Sequence, residues 1–411
     1  MKKTIGIVGG GAAGMTAAIF AARQGAEVTL FEGNDRLGKK ILVTGNGKCN
    51  LGNMDLKTEK YYTQNPELLT GYLEQFGTND TIEFFRGIGL LTKQKNGYLY
   101  PVSEQAASVL DVLRFEINRK TERIKVVLQT HIDRIERDKK HNCIRLWSGK
   151  QVYTFDKVIL TCGGKAAPKT GSDGGGYKLA GMLGHSLVPI VPALVQLKCR
   201  ENWFKSISGV RADAELFLHE EGNVLTTERG ELQLTDYGIS GIPVFQLSRK
   251  INYILRKQKE VEVKIDFLPD FVEEDFAERL LKARKSIGEC GTVEEYFTGM
   301  LNKKLMNLFI RLAGLKPSDS VREVPQEKLL QVYALCRELT VHVIGSNSFE
   351  SAQVCAGGVP LTEVTEKLES RLVPGIFFAG ELLDVDGRCG GYNLQWAWCS
   401  GYLAGVAAAG D

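Results

Sequence analysis

No stretch of the 411-residue chain holds the ~20 consecutive apolar residues that a membrane span needs. Lys2-Lys3 and the apolar residues behind them superficially resemble a secretory leader. Glycine interrupts that run and Arg23-Gln24 closes it, so a soluble, cytoplasmic protein is expected. The nine cysteines contain no Cys-x-x-Cys pair, and their number is odd. That pattern suggests neither a disulfide framework nor a zinc knuckle, argues against dithiol exchange chemistry, and fits a reducing compartment. His131, His141, His185, His219 and His342 show no metal-ligand spacing, so no metal is expected. Internal repeats, low-complexity tracts and long linkers are also missing. Neither sign of charge dominates: 52 Lys and Arg against 49 Asp and Glu leave +3, which neither demands nor excludes a nucleic-acid partner.

What the chain has is length and glycine. Its length exceeds the ~250–300 residues at which a single core stops growing, so two or more domains are expected. Many of the 45 glycines sit in clusters: Gly9 to Gly11, Gly163-Gly164, Gly174 to Gly176, Gly357-Gly358 and Gly390-Gly391. Such clusters let backbone approach a ligand closely.

The most informative cluster follows the first apolar run, Thr4 to Val8. Gly9 suits a tight strand-to-helix turn, Gly11 a close approach to a pyrophosphate, and Gly14 close helix–strand packing. A helix beginning at Ala12 and Ala13 would aim its free N–H groups at the phosphates. Eighteen residues past Gly14, Glu32 ends the next apolar run, Val28 to Phe31, and can accept hydrogen bonds from a ribose. Strand, turn, helix and acid together read as a dinucleotide site.

Residues 36–50 carry Gly38, Lys39, Lys40, Gly45, Asn46, Gly47, Lys48, Cys49 and Asn50, a composition suited to a loop along a phosphate-bearing ligand. Helical periodicity follows between about 65 and 120, then strands at Val126 to Gln129 and Cys143 to Trp147. The apolar run from Lys157 ends in Thr161-Cys162-Gly163-Gly164, where Thr161, Gly163 and Gly164 are placed against the cofactor, and Gly171 to Tyr177 continues that theme. Pro189 to about Phe267 reads as mostly strand, and Glu273 to about Gln331 as a charged, helix-patterned insertion.

The tail delivers an apolar strand, Ile376 to Phe378, then Gly380, Glu381, Asp384 and Asp386, then Gly390, Gly391, Tyr392, Asn393, Leu394 and Gln395 at the start of a helix. An acid after a buried strand suits a ribityl or pyrophosphate group, and helix N–H groups suit the reduced flavin ring. These residues point to FAD rather than NAD. No second Gly-x-Gly-x-x-Gly follows a strand, so NAD(P)H is expected only as a transient reductant.

On these segments, together with Thr235 to Pro243 and Ala356 to Val359, the whole chain resembles the BaiN/RdsA-type family of NAD(P)/FAD-dependent flavoproteins. The resemblance implies an α/β fold. Its Rossmann-like FAD-binding domain is built from both chain ends, 1–188 and 350–411. An inserted β-rich, barrel-like domain would span 189–268 and 336–349, and a helical insertion 269–335. One departure stands out: Asp236 replaces a His of many relatives, and Ile242 separates Gly241 from Pro243.

Two activities come with the resemblance, and both add hydride to an electron-poor alkene. The leading expectation is reduction of uridine to dihydrouridine in 23S rRNA. A small-molecule reductase or oxidase, acting on a steroid-like acid or an amine, is the alternative, and a non-catalytic FAD-stabilised RNA-binding protein is a third. Uridine would need a general acid at C5, for which Cys49 and Cys389 are the candidates because their segments are expected to border the flavin. Ribosomal RNA as partner would be tracked by Arg249-Lys250, Arg256-Lys257, Lys259, Lys282, Arg284-Lys285, Lys303-Lys304 and Arg311. The oligomeric state is left open.

Overall fold

The computed structural model describes residues 3–271, 276–283 and 291–410. It forms two compact units, one from residues 1–192 with 349–411 and one from 193–348. Each has its own buried apolar cluster.

The first unit is built on a five-stranded parallel sheet in the order Ile376–Phe378, Lys157–Leu160, Thr4–Val8, Glu27–Phe31, Ile124–Val127. Lys157–Leu160 thus lies between strands from the two chain ends, pairing with Thr4–Val8 on one side and Ile376–Phe378 on the other, with Val158 opposite both Gly6 and Ile376. Strands at this sheet's centre are buried on both faces, which is why Ile5, Ile7, Val158, Ile159 and Leu160 form near-continuous apolar runs.

Two helices from opposite chain ends, Ala12–Arg23 and Tyr392–Ala409, cross one another on the sheet. Neither could come this close with larger residues. A Cβ at Gly401 would stand 2.6 Å from the Ala13 carbonyl oxygen, and one at Gly405 2.6 Å from that of Ala17. Ser400 Oγ accepts from Gly380 N at 2.8 Å, and Trp396 Nε1 donates to Gly380 O at 3.0 Å, fixing the last helix to the turn after the last strand.

In the second unit Leu197–Cys199, Gly238–Gly241, Asn223–Leu234, Arg211–Glu220, Val261–Asp266 and Leu339–Ser346 close an antiparallel barrel. The stretch read as mostly strand also contains a 15-residue helix, Ile242–Arg256. Its apolar positions Val244, Leu247, Ile251 and Ile254 recur at helical spacing and are buried, with Pro243 in the first turn. The strands Gly238–Gly241 and Val261–Asp266 on either side mask that helical period in the sequence. Helices Val293–Phe297, Lys303–Leu312 and Gln326–Arg337 share the barrel's apolar cluster. Of the helix-patterned insertion, residues 272–275 and 284–290, with Arg284-Lys285, lie outside the described residues.

Candidate cofactor cleft

All five parallel strands end at one cleft of about 380 Å³. This is the carboxyl edge at which open α/β sheets take their ligands. Val8 and Gly9 to Ala13 line it after the first strand, and Phe31, Glu32 and Asn34 after the second. Thr130 to Ile132 follow the strand at 124–127. Thr161 to Gly163 and Gly380-Glu381 complete the edge. Asn393, Leu394, Trp396 and Ala397 enter from the first turns of the C-terminal helix. Two helix N-termini thus converge on one space, each offering unpaired N–H groups and a positive dipole end.

The glycines divide by what their missing side chains permit. At Gly9, φ is 110° and a Cβ would meet the Thr161 carbonyl oxygen at 2.5 Å; at Gly14 it would meet Gly9 O at 1.9 Å. A Cβ on Gly11 would meet no protein atom within 4 Å, although Gly11 lines the cleft. Gly9 and Gly14 are thus fixed by the fold, and Gly11 leaves room for a group that is not protein. That cradle fits the pyrophosphate of a dinucleotide.

Glu32 is oriented before any ligand arrives. Its Oε1 accepts from Asn34 N and Nδ2, both at 2.8 Å, and its Oε2 from Gly10 N at 3.0 Å, leaving acceptor capacity on Oε2 for a hydroxyl. Glu381, also lining the cleft, accepts from Cys355 N at 2.6 Å, Gly164 N at 3.3 Å and Lys40 Nζ at 3.0 Å. Cys162 also lines the cleft. Burial, reinforced by the Asp173 and Glu32 carboxylates, pushes its thiol up to about 12, so it stays protonated and poorly nucleophilic at neutral pH.

Of the residues expected at the cofactor, Gly9, Gly11, Ala12, Ala13, Glu32, Gly38, Lys39, Lys40, Thr161, Gly163, Gly380, Glu381, Asn393 and Leu394 line the cleft. Others stand behind it. Gly14 packs on the glycine turn, and Gly164 reaches the cleft through Glu381. Gly45, Asn46, Gly47 and Lys48 are exposed, and Lys48 pairs with Glu104 at 2.9 Å. Asp384 is buried and accepts from Gln64 N, and Asp386 pairs in a short strand with Tyr62. Gly390 accepts from Asn53 Nδ2, Gly391 packs on Asn50, Tyr392 O accepts from Tyr61, and Gln395 accepts from Thr81. These contacts hold the start of the last helix. Cys49 lies in the core, its thiol pushed up to about 12 by burial, and Cys389 is half-buried beside the same helix start. Neither sulfur lines the cleft.

Asn34, Thr130, His131, Gln353 and Val354 line the cleft from outside the segments expected at the cofactor, whereas Ser172 and Asp173 fall within the expected Gly171 to Tyr177 segment. His131 follows a parallel strand, so the carboxyl-edge rule could have found it. Nothing in the sequence marks Gln353 or Val354.

A family model described as the HI0933-like protein Rossmann domain matches residues 3–407. The chain belongs to this family. The expected resemblance to the BaiN/RdsA-type flavoproteins is thereby borne out, with the α/β fold and its inserted barrel. Members of the family bind FAD, and this protein is an FAD-dependent oxidoreductase. It is 44% identical over 411 residues to the 3-dehydro-bile acid delta(4,6)-reductase of Clostridium scindens, covering 98% of each chain. It is 28% identical to the ribosomal RNA dihydrouridine synthase of Haemophilus influenzae, over 98% of this chain and 97% of that one. Among solved structures, the 3-ketosteroid-delta4-(5alpha)-dehydrogenase of Rhodococcus jostii superposes with a TM-score of 0.51 at 14% identity, covering 100% of this chain and 97% of that one. The 3-ketosteroid delta1-dehydrogenase of Sterolibacterium denitrificans gives 0.52 at 12%, covering 99% and 100%. These last two show a shared fold. Among the described residues no cluster of His, Cys, Asp and Glu could hold a metal, and no helix is long and apolar enough to cross a membrane.

Proposed function

We propose that the protein reduces an activated carbon–carbon double bond in a steroid-like small molecule, an unsaturated 3-oxo bile acid being the model substrate. What carries this reading is the 44% identity to the bile acid reductase across 98% of both chains. Bound FAD supplies two-electron hydride chemistry. The chain's share is to cradle the diphosphate on Gly9 to Ala13, orient a ribose hydroxyl with Glu32 and hold the ribityl side with Glu381. NAD(P)H, as a visiting reductant, needs no site of its own. For the proton donor we favour Cys389 over Cys49, because Cys389 is partly open while Cys49 is fully enclosed. The eight described cysteines are all free of disulfides, which accords with a cytoplasmic enzyme.

Reduction of uridine in ribosomal RNA is the second reading, supported by the 28% relatives. Charge speaks against it. Residues 193–348, which hold all the basic stretches proposed to track phosphates, carry 22 Lys and Arg against 23 Asp and Glu. Several of their cations are already paired, Lys259 with Glu220 and Glu221, and Lys303 with Glu294. A segment without excess positive charge gains little from counterion release.

The test is anaerobic turnover with NADH or NADPH, following loss of the dienone absorbance of a 3-oxo-4,6-diene bile acid and the gain of two hydrogens by mass spectrometry. Product formation is expected. No reaction with the bile acid, together with restored rRNA dihydrouridine in a strain lacking its own synthase, would reverse the order of the two readings.

A further inference from the structure

The Lys40–Glu381 ion pair, 3.0 Å long, joins two residues that line the cleft and lie 341 residues apart in sequence. Lys40 leaves the backbone next to the glycine turn, because Gly38 N donates to Gly10 O at 2.9 Å. Glu381 leaves it next to the N-terminus of the first helix, since a Cβ on Gly380 would stand 3.1 Å from that of Ala13. Both anchor points therefore flank the cradle over Gly11.

Two lysines line this cleft, and they are committed differently. Lys39 is held at the ribose end by Asp35 at 2.8 Å and Asn34 Oδ1 at 3.1 Å. Lys40 is held by Glu381, a carboxylate that keeps two backbone amide donors, Cys355 N and Gly164 N, whether or not the ammonium stays. A diphosphate placed over Gly11 would bring two negative charges beside the Glu381 carboxylate. Two helix N-termini offset about one unit of charge between them. The lysine has three donors and can serve carboxylate and phosphate together. We propose that Lys40 is the counter-cation of the FAD diphosphate, held ready by Glu381, and that it determines cofactor affinity. The proposal rests on the flavin assignment and is independent of the substrate.

The experiment titrates apoprotein calorimetrically with FAD and with ADP-ribose, which carries the same doubly esterified diphosphate without a flavin, at low and high salt. Lys40→Met should weaken both ligands by the same factor, about ten- to a hundredfold, as for loss of one hydrogen bond to a charged group. It should also flatten the salt dependence. Lys40→Arg should stay within a few-fold of wild type. Unchanged ADP-ribose affinity in Lys40→Met, or an equal loss in Lys40→Arg, would overturn the proposal. Wild-type protein that binds ADP-ribose in a Lys40-dependent way but never FAD would instead sink the flavin reading.

Discussion

Thirty-five of the 45 glycines lie in residues 1–192 and 349–411, and ten in residues 193–348. In the barrel unit the constrained ones, Gly238 at φ 155° and Gly241 at φ 104°, serve strand crossings, where a Cβ would meet Leu197 O or Glu231 O at 2.3 Å. In the first unit they serve two further ends. Gly401 and Gly405 let helices from both chain ends touch, and Gly9, Gly11 and Gly14 shape a cradle. A barrel needs glycine only at its corners; a cofactor cleft needs it wherever backbone replaces side chain as the ligand surface.

The sharpest way to break this comparison is within the cradle itself. Gly14→Val should abolish both flavin binding and native stability of the first unit, because the side chain collides with Gly9 O. Gly11→Leu should give colourless protein that unfolds at the temperature of wild-type apoprotein, because its Cβ meets no protein atom and only the stabilisation by bound cofactor is lost. Absorbance of purified protein and thermal unfolding read both effects. Full yellow colour in Gly11→Leu would show that the diphosphate lies elsewhere.

A smaller effect is expected at the helix crossing. Gly405→Ala should cost about 1–3 kcal/mol by overpacking against Ala17, and denaturant titration should show it without loss of bound flavin at saturation. Gly222→Ala, at a barrel turn with open space around it, should cost about 1 kcal/mol from its φ of 84° alone. A smaller cost at Gly405 than at Gly222 would remove the distinction between packing and turn glycines.

The smallest effect is a pH dependence of the first unit. His185 is buried, with Nδ1 2.7 Å from Glu363 and Nε2 2.7 Å from Ser370 Oγ. Burial outweighs the Glu363 carboxylate and holds the imidazole below its ordinary 6.5. Its contribution is therefore complete above pH 6.5 and lost as pH falls toward the lower folded value, at up to about 1.4 kcal/mol per pH unit. Burial would raise Glu363, but hydrogen bonds from Ser186 and His185 prevail and leave it below 4.5, so its share is lost at more acid pH still. His185→Gln should flatten the urea midpoint just below pH 6.5; an unchanged slope would assign the acid sensitivity to other groups.

Much of the cleft was legible because dinucleotide binding imposes a local code: Gly9, Gly11, Gly14 and Glu32 sit within one strand–helix–strand unit, where spacing alone fixes geometry. The tail was legible for the same reason, an apolar strand followed by an acid and glycines. Residues reached through tertiary contact were not. Whether Asp384 or Glu381 faces the cofactor depends on the turn after the last strand, and both look alike in sequence. Gly45 to Lys48 read as a ligand loop by composition, yet they are exposed. The helix at Ile242–Arg256 was hidden by its strand neighbours although its period was present.

The central claim is that both ends of the chain hold one FAD. Amide hydrogen exchange of the apoprotein, with and without saturating FAD, tests it most directly. Protection is predicted to rise together at residues 9–14, at 161–164 and at 391–397. Protection confined to the N-terminal segment, with the start of the last helix unaffected, would contradict the account.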